Sequence, residues 1–156
     1  MSGLVSGLVG IQTQAAQPAV LAHNSAQDSN VTGNGTAYTL DLDTEIFDQN
    51  NDFASDTFTA PITGRYLISA NCKMYGNTTA AAYANINLNC TSRTLNNQFH
   101  HNGDNNTSLS VLGSFIVDMD AGDTCGIIVS MNGESSPVVD VSGAGVETQI
   151  SVCLLA

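Results

Sequence analysis

Short runs in which every second residue is apolar recur from about residue 18 to the end of the chain, separated by clusters of Asn, Gly, Asp and Ser. Tyr66, Ile68 and Ala70 alternate with Arg65, Leu67 and Ser69. Ala84, Ile86, Leu88 and Cys90 alternate with Asn85, Asn87 and Asn89, so one face is apolar and the other carries amides. A period of two is the signature of a β-strand. The pattern predicts strands at 18–23, 36–43, 56–60, 65–75, 81–90, 108–118, 124–131, 136–141 and 145–155. The run from Thr107 to Val117 is longer and more apolar than the rest and predicts a strand buried on both faces. No amphipathic helix of useful length is present, and Tyr75 to Tyr83 reads as a loop. Strands at this spacing predict an all-β antiparallel sandwich or barrel.

Residues 1 to 17 differ in kind. Ser2-Gly3-Leu4-Val5 repeats at once as Ser6-Gly7-Leu8-Val9, followed by Gln12, Gln14 and Gln17 among small residues without charge. So short a repeat builds no core of its own. Leu4, Val5, Leu8, Val9 and Ile11 either need a partner surface or belong to a disordered tail. The segment has no Lys or Arg and its apolar residues are interrupted, so it is not read as a signal peptide. The chain divides into an anchor or arm at 1–17 and one domain at 18–156.

The segment Phe58-Thr59-Ala60-Pro61-Ile62-Thr63-Gly64-Arg65-Tyr66-Leu67-Ile68-Ser69-Ala70 reads as an edge segment, a Pro/Gly turn and a buried strand. It is similar to the F-T-A-P-x-x-G-x-Y-x-F-S-A signature of the globular head of complement first component, subcomponent q, a relative of the tumour-necrosis-factor-like jelly rolls. Ile68 stands where that family has an aromatic residue. Upstream, Pro18 to Ala22, Tyr38 to Asp43 and Glu45 to Phe53 look like the family's opening strands and the loop into Phe58. Downstream, Ala121-Gly122-Asp123 through Val129 is similar to its G-D-x-V-x-L turn and strand, and Gln149 to Leu155 looks like its closing strand. The resemblance implies a jelly-roll sandwich of two sheets, assembled as a trimer. It also marks Phe58, Pro61, Gly64, Tyr66, Gly122 and Asp123 as residues that define the fold. Fold alone does not give function.

Charge narrows the choice of partner. Only Lys73, Arg65 and Arg93 oppose 14 acidic residues, for a net charge of -11. That disfavours nucleic acid and anionic membranes. No apolar run reaches the roughly 20 residues of a membrane span. Cys72, Cys90, Cys125 and Cys153 each sit inside a strand-like run and form no C-x-x-C pair. They are expected to be buried reduced thiols rather than zinc ligands, with Cys72–Cys90 as the alternative pairing.

Chemical candidates are few. Asp48-Gln49-Asn50-Asn51-Asp52 begins like a calcium loop, but Phe53 replaces the required Gly and Thr59 the required Glu. A looser calcium site from Asp48, Asp52 and Asp56 stays open. Some members of the resembling family bind calcium near the trimer axis, yet no ligand set here aligns with theirs. His100 and His101 are read as a solvated loop, although a threefold axis could gather three copies of one of them. Asp118 to Asp123 reads as a strand-ending turn. No nucleophile elbow, phosphate loop or paired catalytic acids are evident, so no enzyme, cofactor or catalytic residue is expected.

Two functions fit. In the first, the chain is a virion structural protein, most simply of a bacteriophage. It would be a trimeric capsid decoration or head-fibre protein, displayed on the virion surface after assembly in the host cytoplasm. Residues 1–17 would hold it to the major capsid or another virion protein. The lack of an export signal, of a collagen-like stalk and of a long fibrous leader favours this role over a tail-fibre tip. In the second, the chain is a recognition module for a host-surface glycan or protein.

Overall fold

A computed structural model describes residues 17–102 and 107–155. Among the described residues there are thirteen strands and no helix. They are β1 (Ala19–His23), β2 (Asp28–Thr32), β3 (Tyr38–Thr39), β4 (Thr44–Asp48), β5 (Phe53–Ala54), β6 (Thr57–Thr59), β7 (Gly64–Tyr75), β8 (Tyr83–Cys90), β9 (Thr94–His100), β10 (Ser108–Met119), β11 (Thr124–Asn132), β12 (Val139–Val141) and β13 (Gln149–Leu154). All pairings are antiparallel. The strands form a jelly-roll sandwich. The first sheet runs β2-β12-β7-β13-β1-β4, with β10 on the other edge of β7. The second runs β5-β6-β11-β8-β9, with β3 also on β11.

Alternation decides which side chains enter the core. Tyr66, Ile68, Ala70, Cys72 and Met74 of β7 are buried, and so are Ala84, Ile86, Leu88 and Cys90 of β8. Val111, Val117 and Met119 of β10 and Cys125, Ile127, Val129 and Met131 of β11 complete the centre. Sheets stacked face to face in this way leave a core about 10 Å thick.

Several sequence expectations change in detail. Only Tyr38 and Thr39 of 36–43 pair as strand, although Leu40 and Leu42 are buried beyond them. Four strands were not foreseen: β2, β4, β5 and β9. β5 is only two residues long, and the other three are rich in acids or amides and draw their pairing from a neighbour rather than from their own propensity. β9 folds back on β8 through a turn of Thr91 and Ser92, where Cys90 and Arg93 exchange backbone hydrogen bonds at 2.9 and 3.2 Å. The run at 108–118 is not buried on both faces. Leu112 and Ile116 are 56% and 63% exposed, because β10 lies at a sheet edge with no described residue over its outer side.

The cysteines are not all reduced. Cys90 and Cys125 form a disulfide, while Cys72 is buried and free and Cys153 is half-buried and free. They stand directly opposite on β8 and β11, with Cα atoms 4.1 Å apart. The Thr91 amide donates to the Thr124 carbonyl just beside them, which marks theirs as a non-hydrogen-bonded pair. Such pairs bring side chains closest across a ladder. Cys72 and Cys90 lie in different sheets and do not pair. Burial pushes the Cys72 thiol up to about 12, so it stays protonated.

Two measurements probe this core. Tyr66→Ala should lower stability by about 3–5 kcal/mol in urea titration, since the ring is fully buried and packs at a tilt of 60° against Phe58 with centroids 5.3 Å apart. An unchanged midpoint would remove the ring from the core. Denatured, unreduced protein should take up two equivalents of iodoacetamide and reduced protein four, matching two free and two bridged cysteines.

Candidate functional site: an unpartnered sheet face

The residues singled out in the sequence gather at one corner. Pro61 and Ile62 lie in the turn between β6 and β7, and the Tyr66 hydroxyl reaches back to donate to the Ile62 carbonyl at 2.6 Å. The Ala60 amide donates to the Asp123 carbonyl at 2.8 Å, and the Gly122 amide donates to the Ala60 carbonyl at 2.8 Å. Asp123 turns its carboxylate onto the Asp120 amide at 3.0 Å. Gly122 takes a left-handed φ of 92°, which glycine adopts without strain. Gly64 does not share this. It is the first residue of β7, and its φ is not positive. The corner is a structural joint, bordered by a hollow of about 460 Å³ lined by Arg65, Asp118, Asp120 and Asp123. Leu4, Val5, Leu8, Val9 and Ile11 lie outside the described residues.

The candidate ligand groups are engaged elsewhere. Asp48 accepts from the amides of Asp52 and Phe53 at 3.0 and 2.9 Å, and Asp56 accepts from the Leu42 amide at 2.7 Å. These carboxylates hold turns instead of pointing at a common centre. Among the described residues, no three His, Cys, Asp or Glu side chains form a group able to hold a metal. His100 ends β9, and its ring sits 6.3 Å from that of Tyr83. His101 is half-buried, with Nε2 3.0 Å from the Asn77 amide nitrogen, so the pair is not a solvated loop.

The feature with functional weight is the outer face of the first sheet. The ladder sets Ile116 beside Leu67, Leu67 beside Cys153 and Cys153 beside Ala19. The next outward row runs Ser114, Ser69, Ser151, Leu21 and Phe47. Ser69 and Ser114 share a 2.8 Å hydrogen bond. These small serines leave a shallow hollow of about 370 Å³ bordered by Leu112, Asn71 and Gln149. Phe47 and Leu155 are 47% and 48% exposed. Apolar groups therefore rim a dent across β10, β7 and β13, and no described residue covers them. Leu112 and Ile116 belong to the run expected to be buried on both faces, and within one copy they lie at the surface. The available signal was that both faces of β10 are apolar, which fits burial by a second molecule as well as burial within one.

The fold has solved counterparts. The structure is similar to the globular domain of zebrafish complement 1qA protein, with 15% identity and a TM-score of 0.57 over 90% of this chain and 97% of that one. It is also similar to murine APRIL at pH 5.0, with 12% identity and a TM-score of 0.59 over 89% of this chain and 99% of that one. At these identities the likeness is one of fold. No family model and no curated protein sequence matches the chain.

One end of the apolar face is closed by a polar clasp. Glu147, on the loop between β12 and β13, accepts from Lys73 at 2.6 Å, from the Tyr75 hydroxyl at 2.9 Å and from the Ser142 hydroxyl at 2.8 Å. The Asn71 amide donates to its backbone carbonyl at 2.6 Å. The Lys73 hydrogen bond leads the three that hold the Glu147 carboxyl down at about 2, and the same bond raises Lys73. A depressed carboxyl adds stability that is fully present above its unfolded value and is lost as pH falls through the folded one. Glu147→Gln should therefore lower the melting temperature at pH 7. The gap from wild type should narrow as pH falls from about 4.5 to about 2. A pH-independent gap would show that the carboxylate is not what holds the loop.

Proposed function

We propose that the chain is a non-enzymatic display protein of a virus particle. It acts as a homotrimer that buries the outer face of its first sheet at the threefold axis. Residues 1–17 attach it to a capsid or other virion protein. The observation that carries the assembly is the uncovered apolar face with Leu112 and Ile116 at its rim. Burying each of these fully is worth about 1.5–3 kcal/mol relative to leaving it exposed. A closed cyclic interface covers such a face on every copy at once.

The described termini support the attachment. Pro18 accepts a hydrogen bond from the Leu154 amide at 3.2 Å, and the Gln17 side chain donates to the Leu154 carbonyl at 2.8 Å. The chain thus enters the domain at the edge of the apolar face, beside Leu155. Three copies meeting through that face would bring three such entry points together and give avidity to a weak anchor. The virus assignment rests on the sequence pattern: an acidic composition rich in Asn and Thr, with an apolar, uncharged stretch at residues 1–17.

Native mass measurement at micromolar concentration should give three chains, and Leu112→Asp with Ile116→Asp should give folded monomer. Cys153, set in the same face, reports the contact directly: its alkylation should be slow in wild type and fast in the double variant. A wild-type monomer that stays folded would end the trimer reading. Removing residues 1–17 should leave mass and melting temperature unchanged yet abolish incorporation into particles. Incorporation at the wild-type level would end the anchor reading.

A further inference from the structure

The second sheet differs in chemistry from the first. None of its strands β3, β5, β6, β8, β9 and β11 contains Asp, Glu, Lys or Arg. The strands of the first sheet carry Asp28, Glu45, Asp48, Arg65, Lys73, Asp118 and Asp140. In a chain with a net charge of -11, one sheet is free of formal charge. Its outer side is a ladder of amides. Gln98 donates to Asn85 at 3.1 Å, and Asn85 donates to Ser130 at 3.3 Å. Asn96 donates to Asn87 in the next row, and Thr94 donates to Asn89 at 3.0 Å in the one after. At one end Tyr83 and His100 place two tilted rings beside the ladder.

We infer that this face binds a neutral glycan laid across β9, β8 and β11. A primary amide offers two N–H donors and two lone pairs. In the ladder Gln98 and Asn96 use a donor, Asn87 and Asn89 an acceptor, and Asn85 one of each, which fixes the side chains and leaves further capacity for a ligand. Within a row, groups on neighbouring strands stand about 4.8 Å apart, comparable with the separation of hydroxyls on opposite sides of a sugar ring, and successive rows follow every two residues, about 6.8 Å along the strand. A hydroxyl both donates and accepts, as an amide does. Tyr83 supplies an aromatic surface for the C–H side of a ring. Amides already held by one another lose little freedom on binding. The strong negative charge elsewhere on the domain disfavours sialylated or sulfated ligands. The inference rests on the display reading only for which sheet looks outward, since the other face is assigned to the axis.

The test uses the full-length protein on a printed array of neutral gluco-, galacto- and manno-oligosaccharides, with sialylated and sulfated glycans as charged comparators. Neutral glycans should be retained. Asn87→Ala with Asn96→Ala should weaken retention at least tenfold. Gln98→Glu, which keeps the size and adds a charge, provides a second variant and should weaken it as well. Absence of neutral binding, binding untouched by both variants, or preference for the charged glycans would each overturn the inference. Native mass on the same samples reports the trimer reading separately.

Discussion

Strand β7 sets the register of the first sheet. Over twelve residues it is paired with β10 on one edge, while β13 and then β12 share the other. Because side chains alternate, a slip of one residue in β7 would move Tyr66, Ile68 and Cys72 out of the core and Arg65, Leu67 and Lys73 into it. The Tyr66 hydroxyl bond to Ile62 and the exchange between Ala60, Gly122 and Asp123 pin the start of the strand. The face left outside by that register is the one with functional weight.

Much of this was legible because period two is a strong signal wherever one side is buried. The alternations at 65–75 and 84–90 pointed to both central strands, and the resemblance carried by Phe58 to Ala70 implied the jelly roll. What was not legible has a common cause. β9 contains Thr94, Asn96, Asn97 and Gln98, a composition that reads as loop until β8 supplies a partner. β4 reads as loop because Glu45 and Asp48 flank its apolar pair. The Cys90–Cys125 bond is a fact of tertiary register: 35 residues separate the two in sequence. The apolar character of the 108–118 run was legible, but not which of its faces stays outside, because residue type tells whether a side chain is apolar and not whether its cover belongs to the same molecule.

The two outer faces follow from one economy of composition. The core needs only every second residue of each strand, so the remaining positions are free to differ between sheets. In the first sheet they hold Leu67, Leu112, Ile116 and Phe47, with the Lys73–Glu147 pair closing one end. In the second they hold amides and hydroxyls whose mutual bonds order them without charge. One face suits contact with another copy, and the other suits contact with a hydrated polymer.

The Cys90–Cys125 bridge ties the second sheet to its chemical surroundings. It joins β8 to β11, beneath the amide rows and beside the turn that generates β9. Reducing surroundings keep thiols open, whereas oxidising ones let disulfides persist. The same chain would therefore carry this pair open in the first and closed in the second. Closed, it fastens two of the strands that carry the amide rows, so the stiffness of that face follows the redox state around it.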